Sequence, residues 1–320
     1  MPFEHPADLP SFIESQLPFR RRRYRLETGG YREERMSFLE QPPDDGAAVL
    51  LLHGNPTWSF LWRKVMVRLP GFHCVAPDLI GFGLSDRLRR IEEHSLAGHA
   101  DAVAELVARL DLRDVILVGQ DWGGPIAAAV GSRLPDRVRG LLLANTSVLV
   151  PHRWRGTKFH RFARMPVVSD IAFRLLGFPQ NRLDRVQGDP ASIRGEVARA
   201  YRWPLSRWRD RAGPLALARM VPDSESHPSV AEIRRGEEWA RGFGGPIALV
   251  WGERDPILGR MLRRHEEAFP SAHVVRTEAG HFLQEEVPDA IASAIVELDR
   301  AISPEIPPET SATKLPEAQV

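Results

Sequence analysis

One aspartate occupies a position where its neighbours predict a reactive side chain. Residues 119–124 read Gly-Gln-Asp-Trp-Gly-Gly, which puts Asp121 where a G-x-S-x-G nucleophile elbow carries serine. A serine must be deprotonated before it attacks, whereas an aspartate, with an unperturbed pKa of about 3.9, is an anion at neutral pH. Such a carboxylate can displace a leaving group directly from carbon and form an ester. The residue type therefore predicts covalent catalysis by Asp121.

The segments on either side of Asp121 predict the turn that an elbow requires. Residues 114–118 form a short β-branched run typical of a buried parallel strand, and residues 125–130 are small and compatible with a helix. Glycines at 119, 123 and 124 allow the strand and the helix to approach closely. An aspartate that only caps a helix is the alternative. Glycines on both sides, behind a strand, favour the nucleophile.

Hydrolysis of an aspartyl ester needs a base that activates water. His281 follows a predicted strand at 273–276 and precedes a helix, which puts it at the carboxyl end of a strand and makes it the candidate base. The other histidines considered are predicted to be solvated on helical segments or to shape a loop: His94, His99 and His160 in the first group and His53 in the second.

A catalytic histidine needs an acid that fixes its tautomer and stabilises the imidazolium. Asp255, after the predicted strand at 247–251, is the best candidate, and the alternative is a turn aspartate before proline. Glu253 ranks second. Asn145, at the end of the predicted strand at 138–144, carries no charge and cannot serve as the acid. The sequence therefore predicts an Asp121, His281 and Asp255 triad.

Two further residues flank the predicted nucleophile and can donate hydrogen bonds to an anion. Residues 53–58 read His-Gly-Asn-Pro-Thr-Trp and follow the predicted strand at 47–52. The backbone N–H groups of Asn55 and Trp122 are expected to form the oxyanion hole. Their side chains are neutral donors that could bind a departing halide without neutralising Asp121. The alternatives are a turn residue at Asn55 and core packing by Trp122.

Strand-like runs alternate with helical patterns and must position these side chains. The pattern predicts a mostly parallel sheet with helices on both faces, and hence an α/β fold. The predicted strands are 47–52, 72–76, 115–118, 138–144, 247–251 and 273–276, and the helical patterns include 95–110, 126–133 and 259–269.

The alternation stops in the middle of the chain. Residues 148–242 contain no convincing strand and are predicted to form a helical cap, inserted between a first core segment at 1–147 and a second at 243–302. Residues 303–320 are rich in proline and are predicted to be a disordered tail. A cap has to pack on the core and also cover a cavity. Its predicted apolar roof comprises Phe159, Phe162, Phe173, Leu176 and Phe178.

Composition excludes several classes of protein. The 320 residues carry 43 Lys+Arg and 42 Asp+Glu, a net charge of +1, which gives no electrostatic case for nucleic acid or a membrane surface. Cys74 is the single cysteine and is predicted to be buried and inert. No apolar run approaches the roughly 18 residues of a membrane span, and no signal core is visible. A cytoplasmic enzyme is expected, and its oligomeric state is left open.

Taken together, these motifs resemble haloalkane dehalogenases over nearly the whole chain. The resemblance rests on residues 53–63 (HGNPTWSFLWR), residues 77–86 (PDLIGFGLSD), the Asp121 elbow and the Gly-His pair at 280–281. It implies an α/β-hydrolase fold with a helical cap, a small apolar halogenated substrate, a halide product and no metal or organic cofactor. With Asn55 and Trp122 as halide donors and the acid at Asp255, the pattern is similar to the third subfamily.

Related enzymes supply the alternatives. Some relatives in that subfamily are similar to β-lactone decarboxylases of olefin synthesis, which use the same triad. Epoxide hydrolases use two cap tyrosines, whereas of Tyr24, Tyr31 and Tyr201 only Tyr201 lies in the predicted cap. Fluoroacetate dehalogenases place an arginine directly after the nucleophile, where this chain has Trp122. A binding protein that has lost its chemistry would be expected to have a damaged triad, and all three triad residues are present.

Overall fold

A single eight-stranded sheet organises the molecule, as seen in a computed structural model that describes residues 3–42, 47–154 and 157–302. The strand order is β1-β2-β4-β3-β5-β6-β7-β8. β2 is antiparallel to β1 and β4, and the remaining pairs are parallel, which confirms the predicted α/β class. The strands are β1 (Arg20–Arg25), β2 (Arg35–Gln41), β3 (Ala48–Leu52), β4 (His73–Pro77), β5 (Val115–Asp121), β6 (Val138–Thr146), β7 (Ile247–Gly252) and β8 (His273–Thr277).

Apolar residues on both faces of the sheet are buried. Leu50 and Leu52 of β3 pack into one cluster, whereas Val49 and Leu51 pack into a second cluster on the opposite face. A parallel strand covered on both sides is expected to be apolar throughout, and β3 reads Ala-Val-Leu-Leu-Leu. This layer holds the carboxyl ends of β3, β5, β6 and β7 along one edge.

The edge strand β1 and its neighbour β2 were not among the predicted strands. β1 reads Arg-Arg-Arg-Arg-Tyr-Arg, and only Tyr24 is buried, so it lacks the apolar run used to identify the other strands. Its arginines are tolerated because they pair with nearby carboxylates, with Arg21 2.7 Å from Glu14 and Arg22 2.7 Å from Glu40. A charged edge strand also discourages pairing with another chain.

Helices cover both faces of this sheet. α6 continues into a π-helical turn at Ile171–Leu175. Helices of the described residues are α1 (Ser11–Glu14), α2 (Arg63–Met66), α3 (Leu96–Arg109), α4 (Gly123–Arg133), α5 (Lys158–Ala163), α6 (Val168–Asp170), α7 (Gly195–Arg202), α8 (Ala212–Arg219), α9 (Ser229–Gly242), α10 (Leu262–Ala268), α11 (Leu283–Glu286) and α12 (Pro288–Ile302). Shorter 3₁₀ turns occupy Ser59–Trp62, Ile91–Glu93, Pro135–Arg137, Leu183–Val186, Pro190–Ile193, Trp203–Leu205, Trp208–Asp210 and Gly259–Met261.

Helices α5 to α9 lie between β6 and β7 in the chain. We propose that residues 148–242 form the predicted cap, and we use "cap" for this range. The last of these helices, α9, also packs on the core, since a Cβ placed at Gly236 would lie 3.0 Å from the Cβ of Ala128 in α4. The predicted tail at 303–320 lies outside the described residues. Within the part of the chain that the structure describes, no helix combines the length and apolar character needed to cross a bilayer.

Most of the predicted roof residues form one aromatic cluster in the cap. Phe173 is fully buried, and the rings of Phe159, Phe162 and Phe178 pack around it with centroid distances between 5.4 and 6.3 Å. The prediction for Leu176 was wrong, because its side chain is 68% exposed on the outside of the cap. An apolar residue at the end of a short helix cannot be assigned to the inner or outer face from its type alone.

Candidate active site

The strand-to-helix turn at Asp121 has the strained geometry of an elbow. Asp121 ends β5 with a φ of +51°, a left-handed conformation that non-glycine residues adopt at a cost, and α4 begins two residues later. A Cβ placed at Gly119 would lie 2.5 Å from the carbonyl oxygen of Gly123, so the close approach of strand and helix requires glycine there. The Thr146 hydroxyl donates to the Asp121 carbonyl and fixes the turn.

Two backbone N–H groups contact the Asp121 carboxylate. The N–H of Asn55 donates to Oδ1 at 2.7 Å, and the N–H of Trp122 also bonds this carboxylate. Burial raises the pKa of Asp121 above its usual value, and nearby His281 together with the two N–H groups opposes that rise. These N–H groups are therefore placed where an anion on the carboxyl group would be stabilised.

His281 lies between the two predicted carboxylates. Its Nδ1 is 2.8 Å from Oδ2 of Asp255, and its Nε2 is 3.7 Å from Oδ2 of Asp121. The Nδ1–H therefore donates to Asp255, and this leaves the Nε2 lone pair directed toward the nucleophile side. The backbone N–H of Ile257 donates to Asp255 Oδ1 at 2.7 Å and holds that acid in place.

The charge state of His281 depends on both carboxylates. Its imidazole is almost completely buried, which by itself lowers the pKa, but the charge of Asp255 and then that of Asp121 more than offset the burial. The net result is a pKa above the ordinary value of 6.5. If Asp121 loses its charge, the pKa of His281 falls, and a larger fraction of the imidazole is then in the unprotonated form that can accept a proton.

Gln120 is a site residue that the sequence reasoning missed. Its side chain is fully buried, donates to the His281 carbonyl at 3.1 Å and has its Nε2 3.4 Å from Nε2 of His281. Its place directly before the nucleophile was visible in the sequence. That its amide crosses to a loop 161 residues away could not be read from the chain order.

Asn145, excluded as the acid, connects three loops of the site. Its fully buried amide donates to the Gly280 carbonyl at 2.9 Å and accepts from the Gly252 N–H at 2.8 Å. Gly280 directly precedes His281, and Gly252 ends β7. Asn145 therefore fixes the position of the histidine loop relative to the strand that leads to Asp255.

The side chains of Asn55 and Trp122 each retain an N–H that is not bonded to any residue the structure describes. The Asn55 Nδ2 donates to the carbonyl of Pro214 in α8 at 2.9 Å, which commits one of its two N–H groups and orients the amide. The indole N–H of Trp122 makes no hydrogen bond to any residue that the structure describes, and the residue is 7% exposed. Two neutral donors therefore flank the nucleophile.

Other candidates lie apart from this site. Glu253 pairs with Arg276 at 3.1 Å on the surface and does not bond His281. The hydroxyl of Tyr201 donates to Glu285 inside the protein, where Arg63 also pairs with that carboxylate, so this tyrosine is committed to a buried ionic network.

The histidine predictions had mixed outcomes. His53 shapes its loop as predicted, because its Nδ1 donates to the Gly54 carbonyl at 2.9 Å and its Nε2 accepts from the Leu79 N–H at 3.0 Å. The prediction that His94 and His99 are solvated was wrong. His99 is fully buried on the inner face of α3, His94 is 6% exposed, and neither ring has a hydrogen-bond partner among the described residues.

Comparisons with known proteins agree with this architecture. The family model of the alpha/beta hydrolase fold matches residues 47–288. A haloalkane dehalogenase of Mycolicibacterium paratuberculosis is 33% identical over 273 residues, covering 84% of this chain and 88% of the relative. Haloalkane dehalogenase 2 of Mycobacterium tuberculosis is 35% identical over 257 residues, covering 79% and 87%.

Solved structures give the same result. The haloalkane dehalogenase DatA from Agrobacterium tumefaciens C58 superposes with a TM-score of 0.75 at 27% identity, covering 88% of this chain and 97% of that one. DbeA from Bradyrhizobium elkani USDA94 superposes with a TM-score of 0.74 at 26% identity, covering 88% and 98%. With an aspartate in place of the elbow serine, and relatives of 33% and 35% identity over 84% and 79% of its length, the chain belongs to the haloalkane dehalogenase family of α/β-hydrolases.

Proposed function

We propose that the protein hydrolyses the carbon–halogen bond of a small apolar haloalkane in two steps at Asp121. In the first step an oxygen of the Asp121 carboxylate attacks the carbon that bears the halogen. The new C–O bond forms as the carbon–halogen bond breaks, and the halide leaves with the bonding electron pair. The N–H groups of the Asn55 and Trp122 side chains stabilise the charge on the departing halide.

The second step releases the alcohol. His281 takes a proton from water, and the resulting hydroxide equivalent attacks the carbonyl carbon of the Asp121 ester. The backbone N–H groups of Asn55 and Trp122 stabilise the oxyanion of the tetrahedral intermediate. Collapse of the intermediate expels the alcohol and restores the carboxylate, and His281 then passes one proton to solvent. The chain's own residues supply every group in this scheme, and a metal or organic cofactor has no step in it.

One observation carries the proposal. Asp121 is contacted by the Asn55 and Trp122 backbone N–H groups and lies 3.7 Å from a histidine that is itself 2.8 Å from Asp255. Serine at the elbow would need the histidine for attack, whereas an aspartate needs it only for ester hydrolysis. The two steps should therefore be separable by mutation.

Trapping the covalent intermediate tests the two-step scheme. We expect His281→Phe to react once with a bromoalkane and then stop, because alkylation does not need the base and hydrolysis does. Intact-mass analysis should find one added alkyl group, and peptide mapping should localise it to Asp121. The control is His273→Phe, at an exposed position on β8, which should turn over without accumulating an adduct. An unmodified His281→Phe protein, or an adduct elsewhere, would contradict the scheme.

The halide donors distinguish a dehalogenase from a β-lactone decarboxylase, since both would use the triad. Removing one preorganised donor should cost about 10²–10³ in rate, by analogy with an oxyanion-hole deletion. Asn55→Ala and Trp122→Phe should each slow bromide release by this amount while keeping the backbone N–H groups that serve hydrolysis. If bromoalkanes release no halide and a long-chain β-lactone is decarboxylated, the proposed activity is wrong although the family assignment stands.

A cytoplasmic location is part of the same proposal. Cell fractionation with an antibody against the chain tests it. An epoxide hydrolase activity is disfavoured because the hydroxyl of Tyr201, the cap tyrosine, is bonded to Glu285. Release of a diol from a terminal epoxide at a rate comparable with bromide release would overturn that view.

A further inference from the structure

The outside of the cap carries a cluster of exposed apolar side chains, here called the cap patch. Their exposed fractions range from 44% for Ile171 to 68% for Val167 and Leu176. Among the residues that the structure describes, every strongly exposed large apolar side chain except Val67 belongs to this cluster. Its members are Met165, Val167, Val168, Ile171, Leu175, Leu176 and Trp208.

Hydrogen bonds make the cap patch one continuous surface. The patch helix is α6 together with its π-helical turn, Val168–Asp170 and Ile171–Leu175. The guanidinium of Arg211 donates to the carbonyls of Arg174 at 2.9 Å and Leu175 at 3.1 Å, which holds the loop that carries Trp208 against this helix. The Arg174 guanidinium lies 5.7 Å from the centre of the Trp208 ring. Phe173, on the inner side of this helix, is fully buried. The helix therefore carries apolar residues on two sides, one buried in the cap and one turned to solvent.

Positive charge is concentrated around this surface. Residues 158–211 contain twelve Lys and Arg but only five Asp and Glu, a net charge of +7, whereas the whole chain carries +1. The near-neutral total therefore conceals a basic cap and an acidic remainder. Arg182, Arg202 and Arg207 have no carboxylate partner among the residues described by the structure.

A basic cleft adjoins the cap patch. It has a volume of about 270 Å³ and is lined by Arg199, Arg202 and Arg211, together with Gln180. Arg211 is the residue that bonds the patch helix, so cleft and patch share a wall. Gln180 is 4% exposed, and neither its amide oxygen nor its amide nitrogen has a hydrogen-bond partner among the described residues. Arginine forks suit phosphate oxygens, and a buried amide can donate to the same group.

We propose that the outer face of the cap binds an anionic lipid surface, with the cap patch in the interface and the arginines on lipid phosphates. Apolar side chains with tryptophan, bordered by arginines, are the composition that lies in a membrane interface. Basic residues near an anionic leaflet add to the attraction. A second copy of the chain is a poorer occupant, because a two-fold contact would bring together two copies of a segment whose net charge is +7. The proposal does not depend on the reaction at Asp121.

Vesicle co-sedimentation of the full-length protein tests this proposal. We expect binding to vesicles of phosphatidylcholine with phosphatidylglycerol, weaker binding to phosphatidylcholine alone, and loss of the difference in about 0.5 M salt. The double variant Ile171→Glu with Leu175→Glu should bind the anionic vesicles at least about tenfold more weakly. Val67→Glu, at a 51% exposed apolar position outside the patch, is the matched control and should bind like the parent.

A second variant separates charge from apolar contact. Arg202→Gln with Arg207→Gln should lower binding to anionic vesicles by about tenfold and leave the weak binding to phosphatidylcholine unchanged. Thermal unfolding of each variant checks that it folds. The proposal fails if the parent does not bind anionic vesicles, if the patch variant binds like Val67→Glu, or if binding ignores the lipid charge. It also fails if sedimentation without lipid shows an oligomer that the patch variant dissociates, since the patch would then join copies of the chain.

Discussion

Asp121 and His281 influence each other's protonation, because Oδ2 of one lies 3.7 Å from Nε2 of the other. Each carboxylate near the imidazole raises its pKa, and Asp255 does so more than Asp121. Esterification of Asp121 removes one of these charges. The base form of His281 is then favoured at the stage when a base is needed, so the first step of the proposed reaction prepares the second.

This coupling predicts an ordered pair of changes in the pKa of His281. Asp121→Asn, a neutral stand-in for the ester, should lower that pKa, and Asp255→Asn should lower it further because Asp255 is the larger positive contribution. Titration of the imidazole by NMR measures both values directly. A pKa that rises in either variant, or the reverse order of the two effects, would contradict the electrostatic account.

The orienting acid should matter mainly for ester hydrolysis. We expect Asp255→Asn to form the alkyl ester at close to the parental rate and to hydrolyse it more slowly by about 10⁴, the loss that follows removal of the acid in serine triads. Single-turnover rapid quench separates the two rates. Glu253→Gln is the matched control, since Glu253 pairs with Arg276 on the surface and should leave both rates unchanged. Equal slowing of both steps would place the role of Asp255 in folding rather than in catalysis.

At the scale of elements, the side-chain amide of Asn145 at the end of β6 hydrogen-bonds both the end of β7 and the loop that carries His281. Asn145 is fully buried and is the only side chain bonded to both the Gly280 carbonyl and the Gly252 N–H among the described residues. Its backbone has a φ of +35°, so the chain accepts a disfavoured conformation at this point. The loops that carry the histidine and its acid are thus joined through a residue that belongs to neither.

Replacing Asn145 should destabilise the fold more than it impairs the chemistry. Asn145→Ala leaves two buried backbone groups unpaired, each at a cost of about 1–3 kcal/mol in the free energy of unfolding. Urea denaturation should show a lower midpoint, while ester hydrolysis should slow far less than in Asp255→Asn. Ser132→Ala, which removes a local bond to the Ala129 carbonyl, is a milder comparison. A hydrolysis defect as large as that of Asp255→Asn would show that Asn145 acts on the reaction itself.

The elements that could be predicted from the sequence are those whose own residues show an apolar or glycine pattern. β3 to β8 carry apolar runs, and the elbow at Asp121 is marked by the strand, the helix and the glycines around it. β1 carries arginines instead of apolar residues, because its charges pair with carboxylates contributed by other segments. These ion pairs form only when the chain folds and brings the segments together, so the local sequence pattern of β1 cannot reveal them.

The same limit explains the errors within the site. The contact of Gln120 with the His281 loop and the burial of His94 and His99 depend on how distant segments pack. The outward orientation of Leu176 depends on the path of a short helix. Residue type and spacing were sufficient to select Asp121, His281 and Asp255 as neighbours, because parallel strands bring their carboxyl ends to one edge of a sheet.

At the scale of the whole molecule, several buried histidines must stay neutral for the chain to remain folded. Burial lowers the pKa of His53, His94 and His265 to about 4, and that of His99 lies well below its usual value. Each of these groups takes up a proton more readily in the unfolded chain. The free energy of unfolding that these neutral histidines support is therefore fully present when the pH is above 6.5, their pKa in the unfolded chain. It is lost as the pH falls toward the folded pKa of about 4.

Removing one buried histidine should make the protein less sensitive to acid. His94 has an unfolded pKa of 6.5 and a folded pKa of about 4, so it accounts for a loss on the order of 3 kcal/mol across that interval. Its ring nitrogens have no hydrogen-bond partners in the described part of the chain, and we expect His94→Phe to flatten the fall in unfolding free energy between pH 7 and pH 4 by this amount. Asp78, whose pKa burial raises to about 6, acts in the opposite direction but is present in both proteins and cancels in the difference.

Urea denaturation at a series of pH values gives the measurement, with His273→Phe at an exposed position as the control that should keep the parental slope. Parallel pH profiles for His94→Phe and the parent would mean that His94 is not held neutral by the fold.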